Sequence, residues 1–111
     1  MIARALLVSL LAALAAAPAH ATAEDKILTL AITDTGFAPA ELEVPTGGSK
    51  VRIDVTNQTG AAAEFESFEL NRERVVQPGK TITVWVSGLD AGRYEFFDDF
   101  HQERKGALVV R

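Results

Sequence analysis

From Lys26 to the C-terminus the chain alternates between apolar and polar positions. KILTLAI (26–32) sets Leu28 and Leu30 against Ile27 and Thr29, ELEV (41–44) alternates glutamate with apolar residues, and KVRIDVT (50–56) sets Val51, Ile53 and Val55 against Arg52 and Asp54. A repeat of two puts successive side chains on opposite faces, so each segment is predicted to be a half-buried strand. Further strands are predicted over AEFESFEL (63–70), RVV (74–76), TITVWV (81–86), RYEFF (93–97) and ALVVR (107–111). The breaks between them carry PTGG (45–48), NQTG (57–60), QPGK (77–80), SGLDAG (87–92) and Gly106, residues that preset or free the backbone for turns. No segment shows a helical repeat. Short strands separated by regular turns predict an all-β fold, an antiparallel sandwich or barrel.

The segment before Lys26 has a different pattern. Arg4 precedes the apolar run ALLVSLLAALAAA (5–17), and small-residue cleavage patterns follow at AHA (19–21) and ATA (21–23). This is the order of an export signal, predicted over residues 1–23, which leaves one domain over 24–111 and places it in the periplasm. An uncleaved anchor is the alternative, but the run is shorter than the ~20 residues that cross a bilayer as a helix.

Composition narrows the function. The sequence has no cysteine, which excludes disulfides, thiolate nucleophiles and thiolate ligands, and its only methionine is Met1. The formal charge of −4 becomes more negative once Arg4 is removed with the signal. An acidic surface argues against nucleic acid and anionic lipid and suits a cationic ligand.

Two stretches set carboxylates among aromatics: EFESFEL (64–70) and YEFFDDFHQERKG (94–106). Along Tyr94–Asp98 the alternation turns Asp98 to the same side as Tyr94 and Phe96, toward the interior, where an unpaired carboxylate costs several kcal/mol or takes up a proton. Either a metal ion compensates it, or Asp98 and Asp99 open a solvated turn and pair with Arg104 or Lys105. Glu64 and Glu66 share a face, either at a metal site or on the wet side of a strand whose Phe65 is inside. Phe37, Trp85, Tyr94 and Phe96 read as core aromatics, whereas Phe97 and Phe100 could dry a site or dock a partner. Arg72, Glu73 and Arg74 read as a solvated strand face or a docking surface. Hydrolytic catalysis is poorly supported, because Ser67 is the only serine near these residues and nothing ties it to His101.

FAPAELEVPTGGSKVRIDVTNQTGAAAEF, PGKTITVWV and GRYEFFDDFHQERKGALVV, in that order and spacing, resemble a cupredoxin-like domain over the whole mature chain. The resemblance implies a small Greek-key β-sandwich. It also implies copper-ligand positions that fall here on Asp98 for the cysteine, His101 for the later histidine, Arg104 for the methionine, and Ala63–Glu64 for the earlier histidine. Only His101 keeps a ligand's identity, and a blue-copper centre needs a thiolate. The implied replacement is an oxygen-rich site of Glu64, Glu66, Asp98 and His101, with Asp99 and Glu103 beside them. Such donors suit iron, copper(II), manganese or zinc rather than copper(I).

EFES, LNRERVV and YEFFDDFH followed by GALVV further resemble periplasmic cupredoxin-like proteins associated with iron permeases, related to the cupredoxin-like domain of the iron-uptake protein EfeO. That resemblance implies an iron- or copper-binding component of ferrous iron uptake, working with a permease and assisting Fe(II) oxidation. A copper carrier or chaperone on the same fold and a metal-free interaction module are the competing readings.

Overall fold

The computed structural model describes residues 12, 13, 15, 25–48 and 50–111. The predicted export signal, 1–23, lies almost entirely outside the described residues. Nine strands follow one another: β1 (Lys26–Thr33), β2 (Gly36–Ala38), β3 (Glu41–Val44), β4 (Val51–Asn57), β5 (Ala63–Ser67), β6 (Arg72–Val76), β7 (Thr81–Val86), β8 (Gly92–Asp98) and β9 (His101–Val110). No helix occurs among the described residues.

The strands form two facing sheets, one ordered β2-β1-β4-β7 and the other β3-β9-β8-β5-β6. The all-β sandwich expected from the alternation is present, but the sheets are mixed rather than purely antiparallel. β1 runs parallel to β4, and β3 runs parallel to β9. Each parallel pair joins strands that are not consecutive in the chain, so a hairpin reading of neighbouring segments could not supply them.

Alternation sets the core. Leu30 and Ile32 of β1, Val51, Ile53 and Val55 of β4, and Val84 and Val86 of β7 are buried against Leu42, Phe65, Phe96 and Leu108 of the other sheet. Phe37, on the short strand the pattern missed, packs edge-on to Phe96 at 4.9 Å between ring centroids, and Phe65 lies 5.2 Å from Phe96. The Phe96 ring covers Gly106, its cross-strand partner. A side chain at Gly106 would meet Cζ of that ring at 2.8 Å and the Ala40 carbonyl at 2.9 Å. Gly106 is therefore a close-approach position, required by packing rather than by an unusual φ.

One expectation changes. Trp85 is not a core aromatic: it is exposed on the outer face of its sheet, opposite Arg52, with the Lys50 ammonium 5.1 Å from its ring. Glu73 and Arg74 are exposed and Arg72 is half-buried, so the solvated strand face is present, and its two arginines also bond across the edge. Arg72 donates from Nε (3.1 Å) and Nη2 (2.9 Å) to the Trp85 carbonyl, and Arg74 donates to the Thr83 carbonyl at 3.4 Å. The two arginines thus tie β6 to β7, the edge strands of the two sheets, occupying carbonyls that an open edge would leave free.

Candidate metal centre

The end of the sandwich where β8 turns into β9 is closed more tightly than an irregular loop would close it. Asp98 pairs directly with His101 across a two-residue turn, and the register then jumps so that Phe97 faces Lys105. Gln102, Glu103 and Arg104 are the extra residues of this bulge, a device that re-aims a side chain. Here it turns Arg104 inward.

Asp98 is fully buried, on the inward face that its spacing from Phe96 predicts. Its Oδ1 accepts hydrogen bonds from the Glu64 amide at 3.0 Å and the Phe100 amide at 3.1 Å, and its Oδ2 accepts one from Arg104 Nη1 at 3.1 Å. Arg104 is itself buried, and its Nη2 lies 3.7 Å from Asp34. His101 Nδ1 stands 3.6 Å from Asp98 Oδ2, is buried, and makes no hydrogen bond. Asp98 thus has a guanidinium partner, one of the two named as alternatives to an ion.

Glu64 and Glu66 point the other way. They lie on the outer face of the five-stranded sheet, and the pairing of β5 with β6 sets Glu73 directly opposite Glu66. One carboxylate oxygen from each of Glu64, Glu66 and Glu73 falls within 4.8 Å of the others, the one group of three potential ligands among the described residues. The sequence reads Glu73 as part of a solvated strand face or a docking surface, not as a ligand. Its role was hidden because nothing in NRERVV states which residue of β5 it will oppose. Asp99 and Glu103 are both exposed; Asp99 accepts a hydrogen bond from Gln102 at 2.9 Å and its amide donates to the Glu64 carbonyl. Of the six residues named from sequence, Asp98 and His101 stand at the inner end beside Arg104, Glu64 and Glu66 lie on the outer face with Glu73, and Asp99 and Glu103 are exposed and outside that group of three.

Two carboxyls of the outer group are held above the ordinary carboxylate range. The Glu64 carboxyl is raised to about 7, first by the hydrogen bond it donates to Glu73 when protonated, then by burial and by the charges of Glu73, Asp99 and Glu66. Glu66 is raised as well, by burial and by Glu73 and Asp99, while a hydrogen bond from Glu64 opposes the shift. Glu66 Oε2 is buried without a partner. A recess of about 170 Å³ lies alongside, lined by Glu66, Ser67, Phe68, Asn71, Arg72 and Glu73. Ser67 is used structurally, its hydroxyl donating to the Glu95 carbonyl at 2.7 Å and accepting from the Leu70 amide at 3.1 Å. Phe68, three-quarters exposed, leans on Phe97 with ring centroids 5.5 Å apart.

Strand order and the hairpin-borne end define the class, a cupredoxin-like β-sandwich. Residues 5–110 match the family described as cupredoxin-like domain, and the chain belongs to it. A protein of Rickettsia prowazekii (strain Madrid E), described as uncharacterized protein RP394, is 38% identical over 88 residues, which span 78% of this chain and 70% of that protein. The purple cupredoxin from Nitrosopumilus maritimus superposes with a TM-score of 0.60 at 19% identity, over 76% of this chain and 99% of its own. The reduced auracyanin of Roseiflexus castenholzii gives 0.65 at 15% identity, over 81% and 99%. The Cu(I)-bound metal-binding domain of the Streptococcus pneumoniae D39 Cu(I)-exporting ATPase CopA gives 0.65 at 15%, over 81% and 98%. At these identities the structural likeness is one of fold.

The residues here do not fit a copper–thiolate centre. Cysteine is absent from the sequence, and the buried carboxylate at the hairpin already faces a guanidinium.

Proposed function

We propose that this chain is an exported, periplasmic carrier of a divalent cation, ferrous iron first among them, and that it serves iron uptake by handing the ion to a membrane permease. The observation that carries this reading is the outer trio of Glu64, Glu66 and Glu73, three carboxylates held within 4.8 Å around a proton that Glu64 retains up to about pH 7. A proton held in that way marks a place where negative charge is concentrated beyond what the fold neutralises. A cation that displaces it relieves the same repulsion with more charge. Carboxylate oxygens suit hard and borderline ions, and iron over copper(I).

The permease partner is supported by what stands beside the trio. Phe68 and Phe97 form an exposed aromatic step next to the recess that Glu66 and Glu73 line. An apolar contact beside an ion site lets a partner close over it and exclude water. The resemblance to iron-permease-associated proteins and the export signal predicted over residues 1–23 favour the same setting. Uptake of labelled Fe(II) by host cells lacking this chain tests the assignment. Wild-type chain supplied in trans restores uptake, and the Glu66→Gln/Glu73→Gln chain does not. Restoration by both, or a defect in copper rather than iron, overturns the iron assignment.

A further inference from the structure

Asp98 and His101 form a pair of metal-type donors that the proposed carrier site does not use. Asp98 is fully buried, and its only charged partner within hydrogen-bond distance is Arg104. His101 Nδ1 is buried, unpartnered and 3.6 Å from Asp98 Oδ2, too far for a hydrogen bond. That separation is close to the spacing of about 3.3 Å between two ligands of a tetrahedral zinc ion bound at ~2.0–2.1 Å. Arg104 belongs to the bulge of β9 and is buried, with Nε also unpartnered. A guanidinium normally satisfies all its donors when buried, and this one forgoes a donor while meeting Asp98.

We propose that the Arg104 guanidinium is the resident cation of this end of the sandwich: it neutralises Asp98 as a bound ion would, keeps divalent metal from Asp98 and His101, and covers a site those two residues form for a borderline cation of the zinc class. Arg104 is also the link to Asp34 in the β1–β2 turn, so the guanidinium ties the β8–β9 hairpin to the opposite sheet. A divalent ion at the same place would meet a carboxylate and an imidazole, the donor pair that borderline ions favour. With Arg104 present, its positive charge 3.1 Å from Asp98 repels such an ion. The inference does not depend on the outer glutamates binding anything.

The test uses three proteins that all carry Glu66→Gln and Glu73→Gln, which removes the outer trio. One keeps Arg104, one is Arg104→Ala, and one is Arg104→Ala with His101→Ala. Thermal unfolding is followed with EDTA and with Zn(II). Zinc leaves the first and third proteins unmoved and raises the midpoint of the second by at least about 5 °C at zinc a hundredfold above its dissociation constant. If Arg104→Ala proteins do not fold in EDTA, the readout is recovery of the β-type circular dichroism spectrum on refolding with zinc, which the His101→Ala protein does not show. No response of the Arg104→Ala protein to zinc, an equal response when His101→Ala is added to it, or an equal response of the protein that keeps Arg104, overturns the proposal.

Discussion

Glu64 shows how one side chain's surroundings become a pH dependence. Its carboxyl is raised from an ordinary 4.5 to about 7 because it donates to Glu73 and is buried among further carboxylates. The folded chain therefore holds a proton that the unfolded chain releases between those values. The cluster's contribution to stability is fully present below about pH 4.5 and is lost as pH rises through about 7. Glu64→Gln, which mimics the protonated form, is expected to gain stability over wild type at pH 8 and little at pH 5. Urea unfolding of both proteins at the two pH values checks this, and an unchanged difference between them contradicts it. The inward turn of Asp98 and the shared face of Glu64 and Glu66 were legible from the repeat of two. What Asp98 meets was not, because Arg104 reaches it only through a bulge. Arg104→Met leaves that carboxylate buried without a counter-charge and is expected to cost ~3–5 kcal/mol by denaturant titration.

At the scale of elements, the strands written in alternating apolar and polar residues were read with their boundaries nearly intact, β3 and β7 among them. β2 was missed because three residues carry too little pattern, and β9 was read short because HQERKG has no apolar alternation before Ala107. Its early part is held by pairing with β8 and not by its own preference. Gly106 sits where β9 passes beneath Phe96. Gly106→Ala is expected to lose ~1–3 kcal/mol, because the Phe96 ring and the Ala40 carbonyl both have to give way. Wild-type stability in that variant would show that the ring moves freely. Asn57 ends β4 and organises the loop to β5: its Nδ2 donates to the Ala61 and Val76 carbonyls, and its Oδ1 accepts from the Thr59 amide and hydroxyl. Asn57→Ala leaves several of these groups unpaired in the interior and is expected to cost more than ~2 kcal/mol, measured in the same way.

For the whole molecule, the cupredoxin-like frame is kept without a cysteine that could hold a thiolate-bound metal. The core of the two sheets and the Asp98–Arg104 pair are supplied by the chain itself, so chelators are expected to leave the melting temperature unchanged, as differential scanning calorimetry in EDTA would record. Negative charge has instead gathered on the outer face of the five-stranded sheet, where register alone brings Glu73 to Glu64 and Glu66. The fold was legible in the order of turns and strands, but the trio was not, because cross-strand register is a property of the assembled sheet. The central claim is that this trio takes up a divalent cation. It is tested most directly by anaerobic calorimetric titration of Fe(II) into the mature wild-type protein and into Glu64→Gln/Glu66→Gln/Glu73→Gln at pH 7.5. The account predicts one ion bound per wild-type chain and affinity at least tenfold weaker in the variant. Equal binding by the two proteins, or no binding by wild type, would contradict it.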